Sequence, residues 1–257
     1  MDLGQMDGLF AQTLTGDYDD ESPWNAVRAL HGIGSREVFN RAVQWCSSDN
    51  PLKRARGADV LAQLGSTSEN PGNKFPEESF SIVSSLLKQE KDPLSLLSAV
   101  HALGHIGNTR AVPSLIEYGL HPSADVRFAV ACALGNFGND PRAADTLIAL
   151  MQDVNEDVRD WATFGLGVQG DLDSGQIRDA LFDRLTDPDR NVRGESLLSL
   201  AKRQDQRALP ALIAELNQPE ISDRAFEAAE TFLGDSFEGS DRNPTGYVVA
   251  IKQRFTL

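Results

Sequence analysis

AVPSLIEYGLHPSADVRFAVACALGNFG, residues Ala111–Gly138, reads as two consecutive amphipathic helices, and the fold turns on it. In its first half apolar residues recur at the spacing of one helix face. Pro113 falls in the first turn, where a missing N–H costs little. The second half opens on Asp125-Val126-Arg127 and ends on a hydrophobic-x-Gly signature at Gly138. Asp at the start suits an N-cap, because its side chain accepts from free N–H groups of the first turn. Gly at the far end suits a left-handed C-cap.

The same pattern extends in both directions. Ser98–Gly107 reads SAVHALGHIG, and Trp161–Gly170 reads WATFGLGVQG. Taking the final Gly as a ruler marks Gly34, Gly65, Gly107, Gly138, Gly170, then Gln204 in its place, and Gly234. The intervals are 31, 42, 31, 32, 34 and 30 residues. A period in the low thirties is the mark of a repeat array. The long interval contains Ser66–Pro76, STSENPGNKFP, whose composition predicts an inserted loop. Asp157-Val158-Arg159 and Asn191-Val192-Arg193 repeat the second-helix start. Arg142–Met151 and Arg207–Leu216 repeat the first helix, with Pro210 again in a first turn. No alternating β-branched run bounded by turn residues suggests a strand.

These units resemble HEAT repeats. Ala111–Gly138 and Ala180–Gln204 (ALFDRLTDPDRNVRGESLLSLAKRQ) are similar to the bacterial HEAT-like subclass known from phycobilisome lyase subunits. The resemblance is strongest over Leu94–Asn217, weaker over Ser22–Gly65 and Ser222–Gly234, and does not reach the first or last 20 residues. It implies an all-α fold, an α-α superhelix or solenoid of about seven helix pairs with capped ends. The expected organisation is one domain: an N-terminal cap over 1–21, repeats over 22–234 and a C-terminal cap over 235–257. Residues Met1–Leu14 are expected to form a capping helix. Asp235–Pro244 should be a polar segment and Tyr247–Phe255 a last helix.

Stacking predicts a core from Val126, Ala129, Val130, Ala133, Leu134 and Phe137. Trp161 takes the place of Ala129 one unit on, so its indole must find extra room. Arg54, Arg127, Arg159 and Arg193 recur at one position. The resemblance implies a structural ladder to an Asp of the neighbouring repeat rather than an anion site. Leu96 holds the place in the unit after the insertion and should break the ladder.

In HEAT arrays the second helices line a concave face, where partners are held. The second-helix positions not needed for stacking are the candidates: Arg28, Asp59, His101, His105, Phe128, Cys132, Asn136, Asp160, Phe164, Val168 and Leu198. Trp24, Gln63, Leu97, Lys202, Arg224 and Phe232 fall in the same columns. Phe128, Cys132, Phe164, Val168 and Leu198 would make an apolar stripe, read either as a partner-binding surface or as core.

The chemistry of enzymes is sparsely represented. His101 and His105 stand four apart on one helix face, with Cys132 equivalent in the next unit, yet no carboxylate motif completes a metal set. No Gly-rich phosphate loop, Gly-x-Ser-x-Gly elbow or Cys-x-x-Cys occurs. No cofactor is expected. Two enzyme alternatives stay open by resemblance: a bilin lyase-type chromophore-handling subunit, and a HEAT-like DNA-repair glycosylase to which Asp160 and Trp161 would be relevant.

The chain has 257 residues with 24 basic and 38 acidic side chains, a net charge of −14. That balance disfavours nucleic acid, whose phosphates it repels, and favours a basic protein partner. Cys46 and Cys132 are too few for a disulfide framework. The opening MDLGQMD lacks a basic region and apolar run, and no 18-residue apolar stretch occurs, so a cytoplasmic protein without a membrane span is expected. Taken together, these features favour a non-catalytic scaffold or adaptor, with an inhibitor or immunity protein as one form.

Overall fold

The computed structural model describes residues 3–234 and 242–256, and every regular element among them is helical. Residues 235–241, most of the expected polar segment, lie outside the described residues. Contacts divide the chain into two compact units, Met1–Phe137 and Gly138–Leu257.

The first unit contains α1 (Leu3–Gln12), α2 (Glu21–Ile33), α3 (Arg36–Cys46), α4 (Pro51–Ala62), α5 (Pro76–Gln89), α6 (Pro93–Ile106), α7 (Val112–Glu117) and α8 (Ala124–Gly135). They form four pairs, in which the second helices α2, α4, α6 and α8 pack side by side. The second unit contains α9 (Pro141–Leu150), α10 (Glu156–Phe164), α11 (Gly175–Asp183), α12 (Arg190–Lys202), α13 (Leu209–Leu216), α14 (Asp223–Leu233) and α15 (Pro244–Phe255). Here α10, α12 and α14 pack in series, and α15 lies against α13 and α14.

Local chemistry explains where the helices begin. Asn50, Asp92 and Asn155 each accept from the backbone N–H three residues on, at 3.2, 3.1 and 3.1 Å. Proline follows the cap directly in α4 and α6. The expected caps Asp125, Asp157 and Asn191 lie inside the first turn instead, and the caps are Ser123, Asn155 and Asp189. Asp189 accepts from Asn191 N at 2.8 Å, which places Asn191 two residues inside. Asp125 and Asp157 therefore act on the helix dipole rather than as caps.

The ruler glycines serve two different ends. Gly34 and Gly107 are left-handed C-caps with φ of 53° and 71°, as expected. Gly138 and Gly170 are not. A Cβ on Gly138 would lie 2.9 Å from Gly170 Cα, so these two are glycine because their backbones touch. The long interval is the loop before α5. Asn73 Nδ2 donates to Leu61 O at 2.6 Å, and Lys74 N to Leu64 O at 2.8 Å, satisfying carbonyls at the end of α4.

The core positions Val126, Ala129, Val130, Ala133, Leu134 and Phe137 are all buried. Trp161 is a correction: it is 38 % exposed rather than accommodated inside. Just after it the helix widens into one π-turn, Gly165–Gln169. Such a turn takes carbonyls out of the regular ladder. Arg203 supplies donors there, to Gly167 O and Leu172 O at 2.8 Å and Gly170 O at 3.2 Å.

The recurrent arginines are used internally. Arg159 holds Asp187 through two bonds of 2.9 Å, and Arg54 holds Glu90 through bonds of 2.7 and 2.9 Å. Arg54, Arg127, Arg159 and Arg193 also each donate to carbonyls five and six residues earlier, joining the second helix to the turn before it. Beside Arg54, the Glu90 carboxyl is pushed down to about 2. Leu96 is buried in the place where the row of arginines is interrupted.

Candidate functional site

The second helices of the first unit border a pocket of about 500 Å³. Its walls come from α2, α4, α6 and α8 and from the α1–α2 connection. Asp59, His101, His105 and Phe128, all expected at inward-facing positions, line it together. So do Trp24, Gln63 and Leu97 from the same columns. Tyr18, Asp19, His31 and Asp125 line it as well.

The polar wall is organised around a buried guanidinium. Arg56 has a side chain only 1 % exposed and reaches Asp59 Oδ2 at 3.3 Å. It also donates to Thr13 O at 3.0 Å and Tyr18 O at 2.6 Å, which ties the α1–α2 connection to α4. Its charge sits 4.0 Å from the ring centroid of Tyr18 and 5.0 Å from that of Trp24. The Tyr18 hydroxyl donates to Asp59 Oδ2 at 2.8 Å and lies 2.7 Å from Ser98 Oγ. Burial pushes the Asp59 carboxyl up to about 6, against the opposing pull of Tyr18 and Arg56. The Tyr18 phenol is raised by burial and then by the Asp59 charge.

Three imidazoles share this pocket. His31 Nε2 donates to the carbonyl of Asp59 at 2.8 Å. Gln63 Nε2 donates to His105 Nδ1 at 2.9 Å, leaving the proton of a neutral ring on Nε2. Burial lowers all three, and His101 falls to about 4 with a further push from His105. At neutral pH they therefore offer hydrogen bonds without positive charge. Among the described residues no group of three or more His, Cys, Asp or Glu is arranged to hold a metal ion.

In the second unit, Asp160 on α10, Glu195 on α12 and Arg224 on α14 meet beside Phe164. Arg224 donates to Glu195 Oε1 and Glu227 Oε2, both at 2.7 Å, and lies 5.8 Å from the Phe164 ring centroid. Asp160 Oδ1 and Glu195 Oε2 are buried with no hydrogen-bond partner among the described residues. Burial, followed by the charges of Glu195, Asp189 and Asp157, pushes Asp160 up to about 6. The Trp161 and Phe164 rings meet edge-on at 5.7 Å.

The remaining expected positions are scattered. Arg28 is exposed and donates to Asn25 Oδ1 at 2.7 Å. Asn136 is exposed beyond the end of α8. Cys132 is half-buried, its thiol pushed up to about 12 by burial. Phe164 and Val168 are half-buried, whereas Leu198 is 7 % exposed and belongs to the core of its unit. Tyr18, His31 and Arg56 fall outside the second-helix columns counted from the ruler. Arg56 follows Lys53 and Arg54 within four residues, so its charge alone does not mark it as the buried one. No helix among the described residues is long and apolar enough to cross a membrane.

A family model described as HEAT repeats matches residues 81–167 and 147–232. The chain is 28 % identical over 228 residues to protein YibA of Escherichia coli strain K12, covering 86 % of this chain and 79 % of YibA. The X-ray structure of Escherichia coli YibA superposes with a TM-score of 0.71 at 24 % identity, over 97 % of this chain and 95 % of that one. An engineered protein of known structure gives a TM-score of 0.59 at 18 % identity, over 99 % and 79 % of the two chains. The complex of CpcE and CpcF of phycocyanin lyase from Nostoc sp. PCC7120 gives 0.46 at 19 % identity, over 90 % and 82 %.

Proposed function

The chain belongs to the HEAT-repeat family, whose paired helices build an all-α solenoid, and from that premise we propose that it is a non-catalytic scaffold holding a basic protein partner against its second helices. One observation carries the reading. Asp59, Leu97, His101, His105 and Phe128 occupy second-helix positions not needed for stacking, and in the first unit they border one open pocket. A face serving only packing or solvation would show buried aliphatic residues or isolated charges there. Aromatic rings beside half-buried polar groups are instead the composition of protein-binding centres.

The net charge of −14 and a pocket bordered by three Asp without a Lys or Arg support a basic partner. Affinity purification of the intact chain at low salt tests this. A basic protein should be retained stoichiometrically, and the paired substitution Leu97→Glu, Phe128→Asp should release it. Recovery of nucleic acid alone, or retention unchanged by that pair, would overturn the reading.

A further inference from the structure

The pocket of the first unit carries charge that its own lining does not balance. Asp19, Asp59 and Asp125 border it, with no Lys or Arg among the lining residues. Asp59 has an internal counter-ion in Arg56. Asp19 and Asp125 are exposed and join no ion pair among the described residues. The imidazoles do not compensate them, because burial keeps the rings neutral. An anionic ligand would meet two bare carboxylates, so the field selects a cation.

The shape of that cation follows from the rest of the wall. Trp24, Tyr18 and Phe128 bring ring surface to the pocket. His101, half-buried, has no hydrogen-bond partner among the described residues. A planar, weakly hydrated guanidinium matches aromatic faces and dispersed acceptors better than a compact ammonium does. The chain itself supplies a precedent in the same wall, where Arg56 lies against Tyr18 and Trp24.

We propose that this pocket receives an arginine side chain of the partner, its guanidinium between the pocket rings and the carboxylates of Asp19 and Asp125. The inference rests on the partner-binding reading above, and blocked arginine tests the pocket separately from any protein partner.

The test is titration of the intact ¹⁵N-labelled chain with N-acetyl-arginine amide, followed by NMR at the Trp24 indole and the His101 and His105 imidazoles. Saturable shifts at all three are expected, with N-acetyl-lysine amide at least about three-fold weaker. Asp19→Asn and Asp125→Asn, both at exposed positions, should each weaken binding by about two- to five-fold, the range for an exposed ion pair. No saturable shift, equal binding of N-acetyl-phenylalanine amide, or indifference to both substitutions would overturn the proposal. A partner protein held equally well by the Asp19→Asn, Asp125→Asn double variant would refute the arginine pocket and leave the scaffold intact. Arginine binding in a chain that retains no protein would do the reverse.

Discussion

Replacing Arg56 by Met tests the organisation of the first unit most directly. The guanidinium is 1 % exposed and donates to Asp59, Thr13 O and Tyr18 O. Hydrogen bonds from a charged donor contribute about 1.5–3 kcal/mol each, so the gross loss is several kcal/mol. Met fills much of the volume and removes the desolvation cost of the cation, which returns part of that loss. The dominant residue is an Asp59 carboxylate left buried without a counter-ion. Breaking a buried pair from one side costs about 3–5 kcal/mol, and that is the expected destabilisation. Urea unfolding in a Trp161→Phe background reads it, because fluorescence then comes only from Trp24 and Trp45 of the first unit. Adding Asp59→Asn should recover at least about 1 kcal/mol, as removing both partners relieves the orphaned charge. The loss should also shrink at pH 5, where Asp59 takes up a proton more readily. A loss below about 1 kcal/mol, or strictly additive variants, would refute the claim that Arg56 and Asp59 act as a pair.

Other expectations can be checked on the same purified chain. Arg159→Ala should destabilise the second unit by about 1–3 kcal/mol in chemical denaturation, since the buried Asp187 loses its two-pronged partner and keeps only Arg184 as a counter-ion, at 3.2 Å. Arg159→Lys should restore little, because an ammonium cannot reproduce the two-pronged contact. Gly167→Ala should cost about 1–3 kcal/mol by driving a methyl group into Ser199, and Ser199→Gly should relieve it, both read as shifts in melting temperature. Asp59 and Asp160, both pushed up to about 6, bind a proton more tightly folded than unfolded. Their contribution is therefore a loss of stability that grows as pH rises from about 4 to 6. Glu90, pushed down to about 2, contributes stability above its usual range that fades as pH falls toward 2. Unfolding across pH should thus show a decline between about 4 and 6 that Asp59→Asn with Asp160→Asn flattens.

The period, the pairing of helices and the identity of the stacked residues follow from the sequence alone. They depend on spacings within a few turns, and each is repeated often enough to be read against its neighbours. Val126, Ala129 and Leu134 declare themselves as core in this way, and Arg159 declares its place in a recurring row. The same counting put Asp59, His101, His105 and Phe128 in the inward-facing columns, but it did not bring them to one pocket. Tertiary structure decided the rest. Tyr18 reaches Asp59 across 41 residues of sequence and Ser98 across 80, and no local pattern encodes such distances. Gly138 and Gly170 looked like left-handed caps, because a turn and a backbone contact both demand the absence of a Cβ. Trp161 stood in a core column, yet it is 38 % exposed, and the helix widens into a π-turn just after it. Helical periodicity is a property of neighbouring residues. A pocket is a property of which turns meet, and that is settled only when the pairs have stacked.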